Sequence, residues 1–111
     1  MVFALNAINL KIMAKHTIYF EKQPRIISTG TIAGPKECAG VVGKYVDRAL
    51  SDDMFGESTY EKAECKMLTF AIQTAIKNAA LEEEGIDLMI SGDLLNQIIS
   101  ASFAARDVDF R

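Results

Sequence analysis

The sequence contains no tryptophan, one histidine, two prolines and two cysteines among its 111 residues. Cys38 and Cys65 are far apart and form no CxxC pair, so neither a redox motif nor a cysteine-based metal site is indicated. His16 is the single histidine, which argues against a zinc site and against a Cys-His catalytic pair. We therefore expect two free thiols, with Cys65 on a buried helix face that it shares with Leu68 and Ile72.

Basic patches and long apolar runs are also missing. The net charge is −3 and the isoelectric point is about 5.1, and this acidic balance argues against a nucleic-acid partner. No run reaches the roughly 20 apolar residues that a membrane-spanning helix needs. Hydrophobic residues make up 50% of the chain and charged residues 24%. This composition is typical of a soluble globular protein, and the length suffices for one small domain with a core.

Residues 1–13 are apolar, with Lys11 as their one charge, but they lack the positive n-region and the cleavage site of a secretory signal. Two interpretations are open. The segment is either a frayed amphipathic extension or an upstream start that precedes a native beginning at Met13. We favour the second, because organised patterning begins only at His16. The sequence therefore predicts an extension over residues 1–15, which need not be native, and a domain over residues 16–111.

Strands and helices should alternate along this domain. β-Branched and aromatic residues predict strands at 17–20 and 25–34, and apolar residues at helical spacing predict a short helix over 42–49. Ser58 and Glu61 match a capping box at the start of a helix that should run to about residue 81. The polar face of that helix is narrow, which indicates that it is covered from more than one side. Its polar residues are Lys62, Lys66, Thr69, Gln73 and Lys77.

The segment from Ile86 to Arg106 is the most informative part of the sequence. A strand over 86–91 stops at Gly92-Asp93, and a helix over Leu94 to Phe103 follows at once. Ligands of α/β sheets gather beyond the carboxyl ends of strands, so the polar residues of this turn are candidates for a binding site. They are Asp93, Asn96 and Gln97. The alternative for Asp93 is an N-cap, and for Asn96 and Gln97 a purely structural role. The acidic run at 82–84 is expected to be a solvated loop rather than a metal site.

Together these elements predict an α/β fold with a mostly parallel sheet flanked by helices. A parallel layout buries both faces of its strands, and the predicted elements are too few to achieve this. We therefore expect the chain to be the front part of a larger protein.

Four segments, in this order, resemble the stage V sporulation protein AD family of spore-forming bacteria. They are Ser28-Thr29-Gly30-Thr31, Gly34-Pro35-Lys36-Glu37, the stretch from Glu57 to Glu64, and Gly92-Asp93-Leu94-Leu95-Asn96-Gln97. The resemblance covers about residues 14–111. It implies a thiolase-like fold, shared with β-ketoacyl synthases, of which residues 16–111 would form an incomplete N-terminal half. Residues 1–12 and the surroundings of Cys38 depart from the family pattern.

The resemblance also implies a function. The family is a component of the apparatus that moves dipicolinic acid, chelated with calcium, during sporulation and spore germination. The expected ligand is therefore dipicolinic acid, free or as its calcium chelate, and Lys36 could pair with one of its carboxylates. Lys36 in a solvated turn is the alternative. The expected location is peripheral, at the spore inner membrane, beside membrane-spanning stage V sporulation subunits, and a homodimer is compatible with the sequence. No cofactor is expected.

Two other functions stay open. One is an acyltransferase of the β-ketoacyl synthase type, because the fold permits it although fold does not fix function. The nucleophilic cysteine of those synthases would lie beyond Arg111, so no catalytic residue is assigned in this chain. The other is a purely structural role as a scaffold within a complex.

Overall fold

A computed structural model of the chain describes residues 2–5, 10–14, 17–20, 22–92 and 98–108, with side chains described at 20, 22–92 and 98–108. The strands of these residues are β1 (Val2–Leu5), β2 (Leu10–Ala14), β3 (Thr17–Phe20), β4 (Ile26–Gly30), β5 (Ile32–Ala33) and β6 (Arg48–Ala49). The helices are α1 (Pro35–Cys38), α2 (Tyr60–Asn78) and α3 (Ile99–Asp107), with 3-10 turns at Gly43–Tyr45 and Glu83–Gly85.

The described strands form three separate pairs. β5 and β6 are parallel, whereas β1 pairs antiparallel with β4 and β2 pairs antiparallel with β3. An α/β arrangement with a small parallel sheet is therefore confirmed. The prediction that the sheet is mostly parallel is wrong for the described strands. One reason is that only two residues separate β2 from β3, and such a short connection can join only antiparallel strands.

The strands predicted at 17–20 and 25–34 are confirmed, although the second is divided into β4 and β5 at Thr31. The helix predicted over 42–49 is wrong, because a 3-10 turn and then β6 occupy this segment. Its apolar side chains do recur at helical spacing, but Val41 is 83% exposed and Tyr45 is 72% exposed. A helix here would have no apolar surface against which to pack, and most helical stability in proteins comes from such packing.

Three hydrogen bonds between Thr31 and Asp47 hold this segment in the parallel register instead. Thr31 donates from its amide and its hydroxyl to Asp47 Oδ2, at 2.8 and 2.6 Å. Asp47 donates its own amide to Thr31 Oγ1 at 2.9 Å. The Thr31 hydroxyl, followed by the Thr31 amide, holds the pKa of Asp47 below its usual value, because both stabilise the charged carboxylate. The ladder continues from the Leu50 amide to the Ala33 carbonyl at 2.9 Å.

The long helix predicted from the capping box is confirmed, but its ends differ from the predicted ones. Thr59 is the N-cap in place of Ser58, and its hydroxyl accepts from the Lys62 amide at 3.3 Å. The Glu61 carboxylate accepts from its own backbone amide and from the Thr59 hydroxyl, which lower its pKa. The helix ends at Asn78, and Ala80, with a φ of 53°, turns the chain away before residue 81.

Helix α2 is covered from two sides, as its narrow polar face predicts. It lies against β4 and β1 on one side and against α3 on another. Ser28 Oγ donates to the Ala75 carbonyl at 2.6 Å, and Asn78 Nδ2 donates to the Thr29 carbonyl at 3.0 Å. The core between α2 and α3 contains Ile72, Ile76, Ala104 and Val108.

The predicted strand over 86–91 is wrong, since no strand is assigned there. Ile86 has an extended backbone, and Ile86 and Met89 pack against the core between α2 and α3. Leu88 and Ile90 are 66% and 86% exposed. The segment alternates as a strand would, but no other described strand pairs with it. A helix begins at Ile99, after Ile98 with its left-handed φ of 78°. The predicted helix start at Leu94 lies outside the described residues.

Gly30 is expected to tolerate no side chain. A Cβ there would lie 2.0 Å from the Ala71 carbonyl oxygen and 2.8 Å from the Ala75 amide nitrogen, both of which are backbone atoms of α2. Gly30→Ala should therefore lower the free energy of unfolding by about 1–3 kcal/mol or more. Urea denaturation measures this, with Gly85→Ala as the control, because a Cβ at Gly85 meets nothing within 4 Å. Equal midpoints for the two variants would contradict the close packing.

The position of the N-cap gives a second prediction. Thr59→Ala removes the acceptor of the Lys62 amide and should cost about 0.5–2 kcal/mol of stability. Ser58→Ala should cost less, although the sequence pattern favours Ser58 as the cap. The two variants can be compared by thermal melts followed by circular dichroism. A larger loss for Ser58→Ala would place the start of the helix one residue earlier.

Candidate functional site

Lys36 lies at the carboxyl end of the parallel strand pair. β5 ends at Ala33, Gly34 follows, and α1 begins at Pro35, so the exposed Lys36 stands where α/β sheets bind ligands. The carboxylates of Asp53 and Glu37 lie at the same edge, and we call the group formed by Lys36, Glu37 and Asp53 the strand-end site. Asp53 Oδ1 and Glu37 Oε2 lie 3.0 and 3.5 Å from the position that a Cβ on Gly34 would occupy. The strand-end site therefore presents charges of both signs.

Asp93, Asn96 and Gln97, the other predicted site residues, lie outside the described residues. Their role in binding stays a prediction. Gly92, which precedes them, is described and exposed.

A cleft that was not predicted from the sequence lies between α2, α3 and the loop before α2. This cleft has a volume of about 620 Å³, within the roughly 300–1,000 Å³ of small-molecule sites. Its apolar lining is formed by Phe55, Phe70, Ile99 and Phe103. Four of the five polar residues predicted on α2 also line it, namely Lys62, Lys66, Thr69 and Gln73. The narrow polar face of α2 was visible in the sequence. The sequence pattern could not show, however, that a loop and a second helix lie on either side of that face and form a cleft.

Lys66 fixes the loop that forms one wall of the cleft. Its Nζ donates to the Phe55 carbonyl at 2.8 Å and to Glu57 Oε1 at 3.0 Å. The same ammonium lies 4.7 Å from the centre of the Phe55 ring, a distance typical of a cation–π contact. Phe55 meets Phe70 edge to face, with ring centres 6.5 Å apart. One lysine thus ties the loop to α2 through three contacts.

Ser100 fixes α3, the opposite wall. Its side chain is fully buried, and its hydroxyl donates to Glu64 Oε2 on α2 at 2.7 Å. The small residues Ala101 and Ala104, which are 4% and 0% exposed, allow the two helices to pack closely. A buried hydroxyl needs a partner, so the bond to Glu64 sets the position of α3 along α2.

Cys65 lies in the cleft as an uncharged thiol. Burial, followed by the nearby negative charge of Asp107, raises its pKa above the ordinary value. Both cysteines are free, as expected, and Cys65 packs with Leu68 against Ile72, on the predicted face. A raised pKa is the opposite of what a nucleophilic cysteine requires. Cys38 donates its thiol to the Ala33 carbonyl at 3.3 Å.

The described residues offer neither a metal-binding cluster nor a membrane-spanning helix. Within residues 22–92 and 98–108, no group of three or more His, Cys, Asp or Glu side chains is arranged to hold a metal ion. In the described part of the chain, no helix combines the length and the apolarity required to cross a bilayer.

These features define a small α/β protein with a parallel strand pair and a two-helix layer, and its sequence identifies the family. Residues 14–110 match the family model of stage V sporulation protein AD. The chain is also 35% identical over 97 residues to stage V sporulation protein AD of Bacillus subtilis (strain 168). The chain therefore belongs to the stage V sporulation protein AD family, as its sequence motifs predict, which implies a role in sporulation. The match covers 87% of this chain and 29% of the relative, so the chain spans under a third of that protein.

The raised pKa of Cys65 predicts slow alkylation at neutral pH. In a Cys38→Ser background, the rate of reaction with iodoacetamide should rise with pH along a curve shifted upward from that of N-acetylcysteine, because only the thiolate reacts. Mass spectrometry of samples quenched across pH 7–10 measures the rate. A rate curve that coincides with that of N-acetylcysteine, or that is shifted to lower pH, would contradict the buried environment of Cys65.

Proposed function

We propose that the chain is part of a subunit that binds dipicolinic acid in the apparatus that moves this compound across the spore inner membrane. Membership of the stage V sporulation protein AD family is the observation that carries the proposal. In this proposal the complete protein is longer and has a thiolase-like fold, of which residues 16–111 form an incomplete N-terminal half. It sits peripherally at the membrane beside membrane-spanning stage V sporulation subunits, and it acts in sporulation and germination.

The ligand is proposed to bind beyond the carboxyl ends of the strands. Lys36 supports this location, because it is an exposed cation three residues after the end of the parallel strand β5. An ammonium can pair with a ligand carboxylate as a point charge. Asp93, Asn96 and Gln97, which lie outside the described residues, are proposed to contribute hydrogen bonds to the same ligand.

The charges around Gly34 favour the calcium chelate over the free acid. Glu37 and Asp53 bring two carboxylates to the edge at which Lys36 lies, and like charges repel a free dianion. A chelate in which calcium neutralises dipicolinate avoids this repulsion and still offers carboxylate oxygens to Lys36.

Calorimetric titration of the complete protein tests the proposal, first with dipicolinate alone and then with dipicolinate and equimolar calcium. We expect tighter binding in the second titration. Lys36→Ala removes a charged hydrogen-bond donor and should weaken binding about tenfold or more. Asp93→Ala and Asn96→Ala should weaken it as well. Lys77→Ala, which removes the same charge from the exposed face of α2, should leave the affinity unchanged.

The variants are to be compared at matched stability, judged by their urea midpoints. If Lys36→Ala, Asp93→Ala and Asn96→Ala all bind with unchanged affinity, these residues do not form the dipicolinate site. Absence of binding to the complete protein in both titrations would contradict the proposed function itself.

A further inference from the structure

The loop between β6 and α2, which covers residues 50–59, joins the strand-end site to the cleft. Asp53 belongs to the strand-end site, and its Oδ1 lies 3.0 Å from the position that a Cβ on Gly34 would occupy. Phe55, two residues later, lines the cleft. Two residues of extended backbone span at most about 7 Å, so the position of Phe55 restricts the positions that Asp53 can reach.

Local hydrogen bonds shape this loop. The buried Leu50 donates its amide to the Ala33 carbonyl at 2.9 Å, which attaches the start of the loop to β5. The Asp52 carboxylate accepts from the Met54 amide at 2.9 Å, and the Glu57 amide donates to the Met54 carbonyl at 2.8 Å. Such bonds stabilise turns, but these three do not attach the loop to α2.

Lys66 provides the attachment to α2, and it does so at a strained turn. Phe55 and Gly56 are both left-handed, with φ values of 50° and 76°. For a bulky residue such as phenylalanine this conformation is unfavourable, and it persists only where surrounding contacts hold it. The Lys66 ammonium supplies such contacts to the Phe55 carbonyl, to the Phe55 ring and to the Glu57 carboxylate. Without them we expect the turn to relax.

We propose that Lys66, through the left-handed turn at Phe55 and Gly56, positions Asp53 at the strand-end site and so sets the preference of that site for the calcium chelate over free dipicolinate. The proposal rests on the proposed function, in which the carboxylates near Gly34 repel the free dianion. Lys66 is a positioning residue, because it acts on the ligand through Asp53 and does not contact the ligand itself.

The direction of the effect separates positioning from a direct influence of the Lys66 charge. Lys66→Met removes the ammonium and keeps most of the length of the side chain. Loss of a positive charge alone would weaken binding of the free dianion more than binding of the neutral chelate, and would therefore raise the preference for the chelate. Release of Asp53 takes a negative charge away from the ligand and lowers that preference. The proposal therefore predicts a fall.

Calorimetric titration of the complete protein with dipicolinate, with and without equimolar calcium, gives this preference as the Kd of the free acid divided by the Kd of the chelate. We expect Lys66→Met to lower the ratio about threefold to fivefold, the effect of one charge near the ligand. Asp53→Asn should lower it by a similar factor. In the Asp53→Asn background, Lys66→Met should add little, because the two residues act as one unit. Lys62→Met, which removes the same charge from the same face of α2, should not lower the ratio.

A measurement without ligand tests the positioning of Asp53 independently of the proposed function. In the complete protein with Cys38→Ser, the pair Gly34→Cys and Asp53→Cys should form a disulfide in oxidised glutathione, because the two side chains meet at this edge. Mass spectrometry of the linked peptides measures the rate. Lys66→Met should slow the reaction about fivefold or more, and Lys62→Met should leave the rate within about twofold.

The two measurements distinguish the ways in which the proposals can fail. Absence of binding in both titrations contradicts the proposed function, and the disulfide rates then decide alone whether Lys66 positions Asp53. An unchanged or raised Kd ratio in Lys66→Met overturns the role of Lys66, and so does a disulfide that forms at the native rate in that variant. Additive effects of Lys66→Met and Asp53→Asn on the ratio would show that Lys66 acts by another route, which likewise overturns the proposal.

Discussion

The direct contact between the end of β4 and the backbone of α2 is the constraint on which the rest of the structure depends. Gly30 has no side chain, so β4 reaches the Ala71 and Ala75 backbone of the helix. Ser28 and Asn78 add hydrogen bonds across the same contact. This contact fixes the rotation of α2 about its axis. A second face of the helix then packs against α3, and its polar face borders the cleft. The position of the cleft along α2 therefore depends on this strand-to-helix contact.

The elements that were predicted correctly from the sequence are those in which local and tertiary preferences agree. The long helix carries its own cap and an apolar surface wide enough for two neighbours, so the capping pattern and the periodicity together located α2. The segment 42–49 shows the opposite case. Its helical spacing is present, but Asp47 bonds to Thr31, and the parallel pairing with β5 outweighs a helix whose apolar residues would stay exposed. Thr31 and Asp47 are sixteen positions apart in the sequence, which is too far for a local sequence pattern to reveal their contact.

The candidate sites divide in a similar way. The place of Lys36 after a strand could be predicted, because the strand and its end are visible in the sequence. The carboxylate of Asp53 near Gly34 could not, since Asp53 belongs to a loop that reaches this edge through the β5–β6 pairing. The cleft was also missed. Its wall depends on Phe55, whose left-handed φ of 50° and contact with Lys66 arise from the fold rather than from a sequence motif.

The segment after the second 3-10 turn has a practical consequence for work with this chain. Met89 faces the core, while Leu88 and Ile90 face outward with free backbone edges beside them in the described structure. An extended apolar segment with unpaired backbone groups resembles an edge strand, and exposed edge strands template association between molecules. Lysine or threonine at positions 88 and 90 would block such association without disturbing the inward-facing methionine, which gives a route to a better-behaved sample for crystallisation or NMR.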